Sequence, residues 1–311
     1  MLIRPVRRLS LRAAAIFFWA FCRQAASNYG SRSISINMRS RFVLTVSILV
    51  IILLPGRAYR AQEVRRIVYD GVSVDVVIDR PANYFVDVLI TFPGTVASDD
   101  QIILAARNIL ERTKEITNRT DMMIVSVAYP QEGRLMGDSV REAEAALLWV
   151  KEKSRKELRR KVRKIFLVGH SQGGYVVTRL NTMHATDGVI SNAPGPLNLV
   201  YRCGLEETGQ VPPSAVCNLL RQAYGTTTAN AAAYMARSLL SFTEGHRSDI
   251  LFVQGLQDSP IQLFSWPTFR QQMTACTTCR SRQFVEIPGG GHTSLFDSPE
   301  AIAAYNQFID R

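Results

Sequence analysis

The chain has 311 residues, 47% of them hydrophobic and 20% charged, which is enough to bury one large core or two modest ones. Its formal net charge of +11 suggests a polyanionic partner, but ten Arg and no Lys, Asp or Glu lie in residues 1–61. Without that segment the net charge is +1, which argues against a nucleic-acid partner.

The first 61 residues contain two apolar runs, AAAIFFWAFC at 13–22 and FVLTVSILVIILL at 42–54. The second run is 13 residues long and follows the basic sequence MRSR. A membrane-spanning helix needs about 20 apolar residues, whereas the apolar core of a signal peptide needs about 7 to 15. We therefore expect a signal peptide over about residues 38–61 and an exported protein, periplasmic or secreted.

Cleavage is expected after Ala58 or Ala61, although neither position forms a clean A-x-A site. An uncleaved membrane anchor is the alternative, and the chain would then contact a membrane only through this leader. Because Met38 begins a complete signal sequence by itself, residues 1–37 are interpreted as an upstream extension; a long disordered tail is the alternative.

From residue 62 onwards, strand-like and helix-like segments alternate with short connections, which is typical of a mostly parallel sheet covered by helices. An alternating segment predicts an early, half-exposed strand at 72–80, and apolar runs predict further strands at 86–92, 122–129, 164–169, 188–193, 249–255 and 283–288. Helices are expected at 100–113, 139 to about 160, 174–186 and 299–309. The predicted fold class is α/β, with a central sheet of about eight strands and helices on both faces.

The run KEKSRKELRRKVRK at 151–164 is strongly basic but has no aromatic residue for base stacking. Because Lys and Arg complement the dipole at a helix C-terminus, we interpret this run as a solvated helix face.

The sequence GHSQG at 169–173 joins a predicted buried strand to a predicted helix. It matches the G-x-S-x-G nucleophile elbow, in which glycines leave room for a Ser on a strained turn. Such a turn raises the Ser171 hydroxyl above the sheet and directs the helix N-terminus at negative charge developing there.

In this motif and its strand-and-helix context, residues 64–311 resemble the α/β-hydrolase superfamily, in particular its serine-esterase and dienelactone-hydrolase-like branch. The family's triad runs in the order Ser, Asp or Glu, then His. The resemblance therefore implies Ser171 as nucleophile, Asp258 after the strand at 249–255 as orienting acid, and His292 in the loop IPGGGHTSLF as base.

Other residues compete for the last two roles. Asp249 starts its strand at the wrong edge of the sheet and Asp297 follows the His, so Asp258 is preferred. His170, His184 and His246 all precede the acid in the chain, which leaves His292.

An acyl-transfer site also needs N–H donors for the oxyanion. The resemblance implies Gln172, the residue after the nucleophile, as one donor. The loop TFPGT would supply the second from Thr95, although Pro93 stands where the family's loop has a His, and a plain β-turn is the alternative.

About fifty-five residues separate the strands at 188–193 and 249–255, far more than an ordinary crossover needs. We expect a cap insertion at about 195–248 with helical segments such as 228–242. A structural lid that shapes no pocket is the alternative.

Four cysteines follow the leader, and an even count in an exported chain favours disulfides. Proximity in the sequence favours the pairs Cys203–Cys217 and Cys276–Cys279, although four cysteines allow three pairings. A redox motif or half a zinc site at Cys276 and Cys279 is the alternative, but no second C-x-x-C is present.

The sequence therefore predicts an exported serine hydrolase that needs no metal or cofactor and acts on a small-molecule or acyl substrate. A carboxylic-ester hydrolase is the leading interpretation. A prolyl-oligopeptidase-like peptidase and a catalytically silent, ligand-binding member of the fold are the alternatives.

Overall fold

The structure, a computed structural model, describes residues 62–311. The predicted signal peptide, its cleavage sites and the upstream extension lie outside these described residues. None of the helices within 62–311 combines the length and the apolar character needed to cross a membrane.

The centre of the fold is an eight-stranded sheet with the order β1-β2-β4-β3-β5-β6-β7-β8. Strands β1 and β2 pair antiparallel, as do β2 and β4, and all other neighbours are parallel. The strands are β1 Glu63–Tyr69, β2 Val72–Asp79, β3 Phe85–Phe92, β4 Met123–Ala128, β5 Lys161–His170, β6 Gly188–Asn192, β7 Ile250–Gly255 and β8 Arg282–Ile287. The α/β fold class predicted from the alternating segments is confirmed.

Every residue of the central strands β4, β6 and β7 is buried, because helices cover both faces of the sheet. The nine helices of the described part are α1 Ile102–Ile116, α2 Val140–Glu157, α3 Gln172–Met183, α4 Leu199–Glu207, α5 Ala215–Tyr224, α6 Ala231–Met235, α7 Pro260–Ala275, α8 Ser294–Asp297 and α9 Pro299–Ile309. Helices α1 and α9 border one hydrophobic core, whereas α2, α3 and α7 border the other.

The segment predicted as a cap lies between β6 and β7 and contains α4, α5 and α6. The helical stretch expected at 228–242 is divided into α6 and a separate 3₁₀ turn, Leu239–Ser241. Ser238 separates the two pieces, and its hydroxyl donates to the carbonyl of Tyr234 and accepts from the amide of Leu199. These bonds anchor the segment to α4.

Strand β5 begins earlier than expected. It includes residues 161–163, which lie in the basic run that the sequence analysis interpreted as a solvated helix face and ahead of the strand predicted from residue 164. Arg163 in this strand donates to Oδ1 of the buried Asp87 at 3.0 Å, so part of the basic run pairs with an acid on β3.

Candidate active site

Ser171 lies on the sharp turn between β5 and α3, with φ 56° and ψ −118°. Few non-glycine residues adopt a positive φ, and strain of this kind concentrates at functional positions. The turn needs glycine on both sides, because a Cβ on Gly169 would lie 2.1 Å from the carbonyl oxygen of Gly173. A Cβ on Gly173 would lie 2.0 Å from the carbonyl oxygen of Phe92, at the end of β3. The predicted nucleophile is thus placed by backbone packing.

Asp258 and His292 form a hydrogen-bonded pair although they lie on different loops. Asp258 follows β7, His292 follows β8, and the Nδ1 of His292 lies 2.8 Å from Oδ2 of Asp258. The carboxylate side chain is 4% exposed, whereas the imidazole is 46% exposed. A buried carboxylate behind a partly exposed imidazole fixes the tautomer of the ring and leaves its Nε2 available as a base.

Two further groups bind the Asp258 carboxylate. Gln254 donates to Oδ2 at 3.1 Å, and the amide N–H of Ser259 donates to Oδ1 at 2.6 Å. Burial alone would raise the pKa of Asp258, but the hydrogen bonds from His292, Ser259 and Gln254 outweigh it and hold that pKa below its ordinary value. The carboxylate therefore stays ionised at neutral pH.

Ser171 and His292 line the same cavity, which has a volume of about 320 Å³. Helix α4, the start of α5 and the first turn of α7 form its other walls. A smaller recess of about 90 Å³ adjoins it and shares several of its residues, including Thr95 and Met136. The cavity lies at the carboxyl ends of the parallel strands, where ligands of open α/β sheets usually bind.

The two residues predicted as oxyanion donors lie side by side. Thr95 Oγ1 lies 2.9 Å from Oε1 of Gln172, to which it donates, and both residues line the cavity. The loop that carries Thr95 approaches the nucleophile closely, since a Cβ on Gly94 would lie 3.2 Å from the Cβ of Ser171. Gln131 holds this loop: its amide accepts from the N–H of Val96 at 3.0 Å and donates to the carbonyl of Gly94 at 3.3 Å.

His170, next to the nucleophile, has a different environment from His292. Burial, with the neighbouring His292 and Arg112, lowers the pKa of His170 to about 3, so the ring stays neutral. Its Nδ1 accepts a hydrogen bond from the amide of Asn192 at 2.7 Å. His184 instead pairs with Glu144, and His246 hydrogen bonds to the carbonyl of Phe242.

Asn192, the last residue of β6, belongs to the site although its sequence context did not predict it. Its fully buried amide also donates to the carbonyl of His292 at 3.1 Å and accepts from the N–H of Leu295 at 3.1 Å. Asn192 therefore ties the loop of the predicted base to the centre of the sheet. A polar residue at the end of an otherwise apolar strand was the available signal.

The cysteines are bonded in the pairs that sequence proximity favours. Cys203 on α4 joins Cys217 on α5 with a Cα–Cα distance of 5.3 Å, and Cys276 joins Cys279 at 5.7 Å. The first bridge connects two helices whose residues line the cavity, so the cap segment is cross-linked directly beside it.

The chain belongs to the alpha/beta hydrolase family, whose sequence model matches residues 51–305. The architecture and the strand-to-helix turn at Ser171 agree with this membership. Comparison with curated protein sequences gives no match.

Solved structures share the fold at low sequence identity. An esterase of Pyrobaculum calidifontis superposes with a TM-score of 0.59 at 17% identity, with 93% of this chain and 96% of the esterase covered. Est1E from Butyrivibrio proteoclasticus gives a TM-score of 0.56 at 17% identity, with 79% and 97% covered. An acylaminoacyl peptidase of Pyrococcus horikoshii gives 0.57 at 13% identity over 81% of this chain, which spans only 41% of the peptidase.

Proposed function

We propose that this protein is a serine hydrolase that cleaves carboxylic esters through an acyl-enzyme on Ser171. One arrangement carries the proposal: the strained Ser171 and His292 line the same cavity at the carboxyl edge of the sheet, and Asp258 is hydrogen bonded to His292 behind it. Such an arrangement supports Ser171 as nucleophile, His292 as base and Asp258 as orienting acid.

In the first half-reaction, the Ser171 hydroxyl attacks the ester carbonyl carbon and its proton moves to Nε2 of His292. Asp258 accepts from Nδ1–H and stabilises the imidazolium that forms. The backbone N–H groups of Gln172 and Thr95 are proposed to bind the resulting oxyanion, each contributing about 10²-fold to 10³-fold in rate.

The C–O bond to the alcohol then breaks, and His292 returns its proton to the departing alkoxide, which leaves an acyl-Ser171 ester. A water molecule next attacks the acyl carbon and gives its proton to His292. Breakdown of the second tetrahedral intermediate releases the carboxylic acid and returns the proton to Ser171. The residues supply every proton transfer, and no step requires a cofactor.

A panel of 4-nitrophenyl esters and peptidyl 4-nitroanilides tests this proposal against the peptidase alternative. The structural similarity to an acylaminoacyl peptidase is the reason to test that alternative. We expect ester turnover that Ser171→Ala abolishes and Ser73→Ala, on the distant strand β2, leaves unchanged. Turnover of the anilides with kcat/KM above that of the esters would favour the peptidase. Full ester turnover by Ser171→Ala would refute the serine mechanism.

We also propose that residues 62–311 act outside the cytoplasm. The 13-residue apolar run with its basic flank and the two disulfides support this location. N-terminal sequencing of the exported protein should begin near Tyr59 or Gln62. Recovery of residues 1–57 attached to the protein in a membrane fraction would favour an anchor.

A further inference from the structure

One residue of the cavity has a charge that the proposed ester chemistry does not use. Arg202, on α4, lines the cavity together with Ser171 and His292, and no Asp or Glu lies among the lining residues. Most of the remaining wall is apolar, including Met136, Leu197 and Ile261. Arg202 is thus the one Lys, Arg, Asp or Glu among the residues that line this cavity. Glu132 and Arg134 line the adjoining recess, where Arg134 forms an ion pair with Glu142.

Glu206, one turn further along α4, forms an ion pair with the Nε side of the Arg202 guanidinium, without a hydrogen bond to it. The Nε of Arg202 lies 3.3 Å from Oε1 of Glu206, whose side chain is 1% exposed. The other carboxylate oxygen of Glu206 accepts from the N–H of Ser214, the N-cap of α5. Within residues 62–311, neither Nη1 nor Nη2 of Arg202 has a hydrogen-bond acceptor. The N–H groups of these two nitrogens are therefore free to bind a ligand.

The position of Arg202 is restrained by its neighbours. The next residue, Cys203, is bonded to Cys217, and the adjoining residues Ala215 and Val216 line the same cavity. On its other side, the ring of Tyr201 stacks on Phe264 of α7, with ring centroids 3.7 Å apart. These contacts restrain the helix that carries Arg202, so little backbone ordering is needed when the guanidinium binds a ligand.

A planar guanidinium with free parallel N–H donors matches a carboxylate, which it can bind with two hydrogen bonds. Arg202 is 37% exposed at its side chain and faces largely apolar surroundings, where such a pair is stronger than in water. We propose that the substrates of this site are esters that carry a second, ionised carboxylate, and that Arg202 selects them. This inference rests on the proposed ester hydrolysis and names its substrate class.

Two pairs of esters test the selection on either side of the scissile bond. On the acyl side, mono-4-nitrophenyl glutarate is compared with 4-nitrophenyl pentanoate; on the alcohol side, 4-acetoxybenzoate is compared with 4-methylphenyl acetate. In at least one of the two comparisons, we expect the wild-type kcat/KM to be about 10-fold or more higher for the ester with the free carboxylate. Only that ester can form charge-assisted hydrogen bonds with Arg202. Arg202→Met should remove this preference and change the kcat/KM of the neutral ester by less than about 3-fold.

Arg202→Met also leaves the buried Glu206 without its cation, which could change the fold around the cavity. Further variants therefore separate carboxylate binding by Arg202 from its structural role. The double variant Arg202→Met/Glu206→Gln removes that buried charge as well and should still lack the preference. Arg202→Lys, which keeps the charge but not the fork, should retain part of it. Arg221→Met, which removes an exposed cation of α5 outside the cavity, is the matched control and should retain all of it.

A wild type without preference in either pair would overturn the inference, and so would equal losses for both members of a pair in Arg202→Met. A double variant with the wild-type preference would also overturn it. These results leave ester hydrolysis intact. Failure of the proposed function looks different: no ester of either pair is hydrolysed, and Ser171 does not react with a fluorophosphonate.

Discussion

The carboxyl edge of the sheet and the segment 193–249 border the same cavity, but different forces hold them in place. At the sheet edge, Asn192 ends β6 whereas Ser171 and Asp258 follow β5 and β7, and hydrogen bonds connect the three residues to their neighbours. The segment 193–249 instead consists of short helices with side-chain N-caps, and α4 and α5 are joined by a disulfide and by the hydrogen bond from the N–H of Ser214 to Glu206. In the proposed function the sheet edge supplies the chemistry, and in the further inference the cross-linked segment selects the substrate.

The largest effects are expected at the sheet edge. His292→Ala removes the base and should lower kcat for ester hydrolysis by about 10⁴-fold to 10⁶-fold. Asp258→Asn should lower kcat by about 10⁴-fold, because an amide cannot stabilise the imidazolium in the required tautomer. Steady-state kinetics on a 4-nitrophenyl ester measure both values. Equal activity of wild type and Asp258→Asn would assign the acid role to another residue.

Asn192→Ala tests whether the sheet edge also works through positioning. Losing its bonds to His170, His292 and Leu295 should displace the base loop and lower kcat by about 10²-fold, since a shift of about 1 Å can cost this much.

The matched control is Asn306→Ala on α9, whose buried amide donates to the carbonyls of Ile116 and Ile302 and does not line the cavity. Both variants should lose about 1–3 kcal/mol in the free energy of unfolding because buried groups lose their partners. A similar kcat for the two variants, measured at matched folded fraction, would argue against a positioning role for Asn192.

The disulfides test how the segment 193–249 is held in place. Removing Cys203–Cys217 by the double Ser variant opens a loop with a sequence separation of 14, and the chain-entropy model then predicts a loss of about 3 kcal/mol. The double Ser variant of Cys276 and Cys279, with a separation of 3, should lose less. Urea unfolding measures both losses. A larger loss for the second pair would show that the first bridge does not restrain the cap segment.

A smaller effect is expected from pH. Burial lowers the pKa of His246 to about 4 in the folded protein, whereas an unfolded His titrates near about 6.5. As the pH falls through this window, the unfolded chain gains a proton that the folded chain does not, so the protein loses up to about 1.4 kcal/mol of stability per pH unit.

His246→Gln should remove this contribution, so the free energy of unfolding should fall less steeply between pH 6.5 and 4. His170, whose pKa is also lowered by burial, remains in the variant and keeps its own slope. Urea titrations at pH 7, 6 and 5 measure the difference. Identical slopes for wild type and variant would mean that His246 is not neutral in the folded protein.

Much of the fold followed from local pattern. Seven of the strands coincide with apolar or alternating runs, and the elbow at Ser171 is a motif of contiguous residues. Strand β1 was not predicted, because its sequence EVRRIVY places three charged residues among four apolar ones. Helix α7 was not predicted either; Pro267 inside it ordinarily signals a break.

The parts of the site that depend on distant contacts could not be read from the sequence. The bond from Asn192 to the carbonyl of His292 joins residues 100 positions apart. Arg202 reaches the cavity because α4 folds back over the sheet and is fastened to α5, and no local pattern marks it. Asp258 and His292 could be predicted as acid and base because they follow successive strands in the order that the α/β-hydrolase triad has along the chain.

The most direct test of the central claim is labelling of the purified protein with a fluorophosphonate, followed by peptide mapping of the adduct. Phosphonylation requires a serine activated by a base, so it does not depend on knowing the substrate. We predict one adduct, on Ser171, that forms in the wild type and is strongly slowed in His292→Ala. No adduct, or an adduct on a different serine, would contradict the claim that Ser171 is the nucleophile of this site.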